Sequence, residues 1–308
     1  MEILYLLLGF VLLIKGADYF VDGASSISSI LKVPTIIVGL TVVSFGTSAP
    51  EAAVSIFASI TSSNDIAVSN VVGSNIFNLL VVLGVSACMA DVVIPKSIVK
   101  FDFPLVIVFS VMLYGILFFD HTIGRFESLV FLMLLVVYVA YLVYDSLKKR
   151  EALTVEKPKF GLAQSIVFMI IGLVGIIAGG DFVVKAAKEI ALGLGFSEKL
   201  VGLTIVSIGT SLPELVTSMV AAKKGEVDIA VGNVVGSNIF NLLFILGLSG
   251  VISPMSIDPA IMFDVIFMIG ITVMTFVICK YQDKLKRRHG FLMLMVFIGY
   301  LIYIVGRR

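Results

Sequence analysis

The sequence predicts an all-α integral membrane protein of about ten transmembrane helices in two inverted five-helix repeats. Three observations carry this expectation. Of 308 residues, 59% are hydrophobic and 14% charged, with a mean hydropathy of +1.13. An ordinary soluble domain has about 25% charged residues, so a water-facing surface of this size could not be covered. The chain also divides into apolar runs of roughly 20 residues, the length that crosses about 30 Å of hydrocarbon. Finally, its halves are copies: Glu214 lies 163 residues after Glu51, and the same offset links Gly46 to Gly209, Asn70 to Asn233, Ser74 to Ser237 and Asn78 to Asn241. From Asp65 to Leu80, DIAVSNVVGSNIFNLL differs from its copy DIAVGNVVGSNIFNLL at one position of sixteen, Ser69 against Gly232.

Taken in order, the spans fall at residues 3–22, 35–60, 66–90, 103–119, 127–146, 162–184, 199–222, 228–250, 260–279 and 290–306. The first lacks a basic leading region and a small-residue cleavage site, so it reads as a retained helix and not a signal peptide. Its Lys15 has Asp18 three residues on as a partner. With the N-terminus outside, the inside loops hold 15 of the 22 basic residues. The excess of Lys and Arg marks the cytoplasmic side, so a multi-pass protein of the cell membrane with both termini extracellular is expected. The basic stretch SLKKREALTVEKPKFG suggests the joint: a first repeat over 1–146, a cytoplasmic linker over 147–161 and a second repeat over 162–308. Five spans per copy is an odd number, so the second copy enters the membrane upside down. Such repeats are characteristic of transporters, with sites near the midplane at broken helices.

The second and seventh spans carry the chemistry. On a helix, positions three and four apart share a face. Ser44, Thr47, Ser48, Glu51 and Ser55 therefore form one polar stripe, and Ser207, Thr210, Ser211, Glu214 and Ser218 form its copy. The following spans add Asn70, Ser74 and Asn78, mirrored by Asn233, Ser237 and Asn241, with Asn75 and Asn238 off to one side. Pro50 has no N–H for the carbonyl of Gly46, which is expected to release backbone oxygens near Ser44 to Thr47; Pro213 does the same for Gly209. A carboxylate at the centre of a membrane costs roughly 2.5–3.5 kcal/mol on insertion scales, which argues against a purely structural Glu51 or Glu214. Hydroxyls, amides and two carboxylates make an all-oxygen set for hard cations: calcium, or sodium with less charge. Zinc, copper and iron favour nitrogen and sulfur, and the two histidines, His121 and His289, lie in predicted loops. Cys88 and Cys279 give no disulfide framework or metal spacing.

GTSAPE and GTSLPE, each followed by GSNIFN, resemble the repeats of the calcium/cation antiporter superfamily, in particular its sodium/calcium exchanger branch of the prokaryotic type. The resemblance implies a ten-helix inverted-repeat fold with cation sites between the second, third, seventh and eighth helices. It implies that Glu51 and Glu214 bind both calcium and sodium, and that Thr47 and Thr210 supply carbonyl or hydroxyl oxygens. Ser48, Ser74, Ser211 and Ser237 match sodium-site hydroxyls, Ser44 and Ser207 match positions whose backbone carbonyl binds sodium, and Asn78 and Asn241 match the central pair. The mechanism implied is alternating access, with the first and sixth helices sliding against the rest. Asn241 stands where potassium-dependent members carry Asp, which argues against potassium co-transport. Thr47 and Ser48 favour sodium over protons as the driving ion. The short central loop leaves no room for a calcium-sensing domain.

The expected activity is thus secondary antiport, with calcium and sodium as transported ions and the lipid bilayer as surroundings. No motif asks for a cofactor, a nucleic acid or an obligatory protein partner, and the absence of a P-loop pattern argues against direct ATP drive. A proton/calcium antiporter would use the same carboxylates, and a cation channel could select cations through acidic residues. An enzyme is the weakest reading, because the spans hold no HExxH and no Ser–His pair.

Overall fold

The computed structural model describes residues 2–61, 63–149, 157–195, 207–282 and 284–306. In chain order the helices are α1 (Glu2–Leu31), α2 (Thr35–Thr47), α3 (Ala49–Ile60), α4 (Asn64–Met89), α5 (Ile98–Asp120), α6 (Arg125–Lys148), α7 (Leu162–Gly193), α8 (Ser207–Thr210), α9 (Leu212–Lys223), α10 (Val227–Ile252), α11 (Ile261–Tyr281) and α12 (Arg287–Gly306). Among the described residues, eight are long and apolar enough to cross a membrane, and α2 with α3 makes a ninth if the bent pair is one span. The protein is an almost wholly helical membrane protein. The first residues of the expected span 199–222 lie outside the described ones, so only α8 and α9 represent it.

Two helices run well past their expected ends. At 30 and 32 residues, α1 and α7 are about 45 and 48 Å long at 1.5 Å per residue. A hydrocarbon layer of about 30 Å cannot contain them upright, so they tilt or project into the interface. The two lie against each other through glycines: a Cβ on Gly16 would sit 2.7 Å from the carbonyl oxygen of Gly172, and one on Gly172 would sit 2.6 Å from that of Gly16. Close backbone approach replaces the hydrophobic drive that lipid removes. Leu13, Ala17 and Phe20 on α1 and Met169, Ile176 and Val183 on α7 share an apolar cluster with Val38 and Val43 of α2, Val216, Ala221 and Ala222 of α9, and Ile229 and Ala230 of α10. A larger cluster fills the rest of the molecule.

The centre belongs to α4 and α10. In an apolar stretch of 18 residues, 83% and 78% of their positions are buried, against 17–39% in the other long helices. The outer helices spend their apolar side chains on lipid, whereas these two are enclosed by protein and can carry polar residues. Gly232 accounts for the single mismatch in the sixteen-residue copy: a Cβ there would come within 2.8 Å of Ile36 O on α2 and 2.9 Å of Leu40 N. Ser69, at the matching place on α4, is exposed.

Two short antiparallel pairs tie the loops. Val92–Val93 (β1), Thr122–Ile123 (β2), Met255–Ser256 (β3) and Lys284–Leu285 (β4) pair as β1 with β4 and β2 with β3. The offset of 163 residues carries β1 onto β3. Lys284 and Asp91 form an ion pair beside β1 and β4. At the C-terminal half of α1, Lys224 bridges Asp18 at 2.7 Å and Asp22 at 2.9 Å, and Lys159 adds a contact to Asp22 at 3.1 Å. This corrects the expected Lys15–Asp18 pair. Lys15 is exposed, while Asp18 faces the end of α9, where a lysine with two acidic neighbours outcompetes it. Asp181 pairs with Lys185 on its own helix.

Candidate functional site

Both proline-containing spans break at a serine. Ser48 (φ −80°, ψ 6°) and Ser211 (φ −91°, ψ 7°) leave the helical region, and α3 and α9 restart with Pro50 and Pro213 in their first turns. Proline fits there because a first-turn N–H has no helical acceptor. The bend of 49° between α2 and α3 follows from the missing N–H and the crowding of the ring. The release of backbone oxygens is narrower than expected. Ser44 O still accepts the Ser48 N–H at 3.0 Å, because a proline at position 50 removes a donor only from position 46. The Ser44 hydroxyl is itself turned back onto Leu40 O at 2.9 Å.

The breaks bring Glu51 and Glu214 to the centre, each wholly buried. Each carboxylate is held by the other copy. Ser48 Oγ donates to Glu214 Oε1 at 2.8 Å, and Ser211 Oγ donates to Glu51 Oε1 at 2.8 Å. Ser74 lies 3.0 Å from Ser211. A hydroxyl has one proton, and that of Ser211 is on Glu51, so Ser74 donates to Ser211. Ser237 reaches Glu214 Oε1 at 3.5 Å. Thr47 Oγ1 donates to Asn233 Oδ1 at 2.9 Å, and Thr210 Oγ1 to Asn70 Oδ1 at 3.4 Å. The amides of Asn70 and Asn233 in turn donate to Glu51 O and Glu214 O, at 3.2 and 3.4 Å, and to the Ser55 and Ser218 hydroxyls, at 2.9 and 3.0 Å. The structure thus brings the described side chains of both stripes together at the centre, and adds Asn70 and Asn233 as clamps that were not among the expected ligands. Their place in the same i, i+4 stripe was the available signal. Ser207 opens α8; its side chain lies outside the described ones.

Nine buried side-chain oxygens are left without a partner among the described residues, and four of them belong to the central glutamates and asparagines. Glu51 Oε2, Glu214 Oε2, Asn78 Oδ1 and Asn241 Oδ1 are buried and accept no hydrogen bond among the described residues. Buried polar groups are almost always paired, and an unpaired buried charge is far costlier than an unpaired amide. No Lys or Arg meets either carboxylate among the described residues, where Lys159, Lys185, Lys224 and Lys284 pair with Asp18, Asp22, Asp91 and Asp181 instead. Nor do the described residues contain a group of three or more His, Cys, Asp or Glu side chains that could hold a metal ion. The pocket is two carboxylates surrounded by neutral oxygen donors.

The sequence profile described as "Sodium/calcium exchanger protein" matches residues 1–144 and again 164–306. The chain belongs to the sodium/calcium exchanger family. The exchanger is 40% identical over 309 residues to CaxA of Alkalimonas amylolytica, covering 96% of each chain. It is 32% identical over 340 residues to the sodium/calcium exchanger MaX1 of Methanosarcina acetivorans, covering 97% of each. Among solved structures, the sodium-calcium exchanger NCX_Mj, soaked with sodium and calcium, superposes with a TM-score of 0.86 at 31% identity, over 100% of this chain and 98% of that one. The double match of the profile falls on the two copies of the exchanger's sequence, one on each side of the basic stretch.

Proposed function

We propose that the pocket around Glu51 and Glu214 is the site at which this exchanger trades sodium for calcium across the membrane. The observation that carries the reading is the set of four unpaired buried oxygens, two of them charged, arranged in matched pairs from the two copies. Calcium takes about six to eight oxygens in irregular geometry. Glu51, Glu214, Asn78 and Asn241 supply the core of such a shell, and the Thr47 and Thr210 oxygens complete it. Sodium uses the same carboxylates with the hydroxyls of Ser48, Ser74, Ser211 and Ser237 and the carbonyls of Ser44 and Ser207. One divalent ion or two monovalent ions neutralise the formal charge of −2. The two loads therefore compete, and competition for one pocket is what couples their fluxes.

Alternating access follows if the α1–α7 pair moves against the remaining helices. The close glycine contact that joins α1 to α7 supports their moving as one unit; among the described residues the polar ties of that unit to the rest include Lys224 to Asp18 and Asp22 and Ser25 to Glu226. In this reading residues 1–146 and 162–308 are inverted repeats joined by a cytoplasmic linker at 147–161, and both termini face outward. The loop pairings suit it: β1 and β4 join two loops assigned to the inside, and β2 and β3 join two assigned to the outside.

The test is calcium-45 uptake into sodium-loaded proteoliposomes diluted into sodium-free buffer. Uptake should require internal sodium and vanish in Glu51→Gln. Uptake driven by a pH gradient and indifferent to sodium would make protons the counter-ion. Conductance without coupling would make the protein a channel.

A further inference from the structure

Asn75 and Asn238 were expected to one side of the polar stripe, yet they lie between the copies. Asn75 Nδ2 donates to Asn238 O at 3.3 Å, and Asn238 Nδ2 donates to Asn75 O at 3.3 Å. Asn78 Nδ2 donates to Asn238 Oδ1 at 3.1 Å, and Asn241 Nδ2 to Asn75 Oδ1 at 3.0 Å. All four side chains are between 0 and 1% exposed.

We infer that Asn75 and Asn238 are positioning residues that decide which end of Asn241 and Asn78, respectively, is offered to the transported ion. This rests on reading the pocket as the exchange site. The two ends of an asparagine amide have nearly the same shape but opposite polarity, one an acceptor and the other a double donor. A cation tolerates only the oxygen. The relay removes the ambiguity from a group that cannot flip. The backbone carbonyl of Asn75 only accepts, so the Asn238 side chain must present Nδ2 to it. Its Oδ1 then points at Asn78 and must receive Nδ2, which leaves Asn78 Oδ1 as the remaining end. The mirrored relay starts at the Asn238 carbonyl, passes through Asn75 and leaves Asn241 Oδ1. Those two remaining oxygens are the ones found buried and unpaired. Each copy thus orients the other's ligand, so the polarity of the pocket is set by the contact between α4 and α10 and not within either helix. Asn78 and Asn241 each open a π turn, Asn78–Val82 and Asn241–Ile245, a local widening common at functional sites.

The logic predicts a specific pattern of coupling. Replacing Asn241 with aspartate gives a side chain with two equivalent oxygens, which needs no orientation; Asn78→Asp does the same on the other side. Asn75→Ala should raise the calcium concentration for half-maximal sodium-dependent uptake about three- to tenfold, the equivalent of one net hydrogen bond. In an Asn241→Asp background the same change should raise it less than about twofold, because the oriented amide is gone. In an Asn78→Asp background the penalty should persist, since Asn238 and not Asn75 serves that position. The maximal rate of Asn75→Ala should fall less than its apparent affinity. An equal penalty in all three backgrounds would indicate packing alone and overturn the inference, as would no penalty in any. If Asn75→Ala does not fold, the mirrored set reads the same relay: Asn238→Ala should be suppressed by Asn78→Asp and not by Asn241→Asp. Sodium-independent uptake by the unaltered protein would instead strike the reading of exchange itself, and is seen before any variant is compared.

Discussion

Glu214→Gln isolates the charge of the pocket with almost no change of shape. Among the described residues, Ser48 at 2.8 Å and Ser237 at 3.5 Å both donate to Glu214 Oε1, while Oε2 has no partner. The hydroxyl donors keep the glutamine oxygen at Oε1, so the new NH₂ group falls where Oε2 was and turns a donor toward the ion. Two unit charges 4 Å apart interact by about 4 kcal/mol at an effective dielectric of 20, and a divalent ion doubles this to about 8 kcal/mol. If half survives relaxation, calcium affinity falls by about 4 kcal/mol, or roughly 1000-fold. The empty protein responds in the other direction. A central charge costs about 2.5–3.5 kcal/mol in a membrane, and the hydrogen bond from Ser48 loses only the difference between a charged and a neutral acceptor, about 1 kcal/mol. The variant should therefore melt no lower than the unaltered protein without calcium. Calcium at a hundred times the dissociation constant should stabilise the unaltered protein by about 2.7 kcal/mol and leave the variant unmoved. Thermal melts in detergent with and without calcium, paired with calcium titration, read both effects. A folded Glu214→Gln protein that keeps its calcium affinity within about tenfold would refute the electrostatic argument.

Three further outcomes follow from the packing and the loops. Gly172→Val puts a branched side chain where even a Cβ lies 2.6 Å from Gly16 O; it should separate α1 from α7, destabilise by about 1–3 kcal/mol and slow exchange, measured by melting and calcium-45 flux. Gly232→Ser should cost a similar amount against Ile36 O, whereas Ser69→Gly should change stability by less than about 1 kcal/mol, the ordinary range for an exposed position in a helix; chemical denaturation of the two variants side by side checks the asymmetry. The Lys284 ammonium holds the Asp91 carboxyl below the ordinary carboxylate range. Its lowered value in the folded state means that the pair contributes fully above the unfolded value, about 3.9, and is lost as pH falls through the folded one. Because the pair is exposed, Asp91→Asn should leave exchange at pH 7 within about twofold, and a pH titration of the Asp91 carboxyl carbon resonance should place its midpoint below that of an unpaired aspartate.

Much of this protein was legible in its one-dimensional order. Composition excluded a water-facing surface, the run lengths found the eight long apolar helices and the bent pair, and a fixed offset joined two motifs that each put a glutamate three residues after a Ser or Thr. Those features are local or periodic: helix geometry converts spacing into a shared face without reference to any other segment. The stripes of Ser48, Glu51, Asn78 and their copies needed nothing more.

What the order of residues left open depended on contacts between the copies. That Ser48 holds Glu214 and not the nearby Glu51, that Asp18 takes Lys224 over Lys15, and that Asn75 faces Asn238 at the centre are all pairings across more than 150 residues. Spacing along a helix defines which residues share a face, but not which face meets which. That was decided by the close crossing of α2 on α10 at Gly232, by the breaks at Ser48 and Ser211, and by the need of buried donors and acceptors to find partners where water is absent. The carboxylate and amide oxygens of Glu51, Glu214, Asn78 and Asn241 that stay unpaired among the described residues are the basis of the site proposed for the ion.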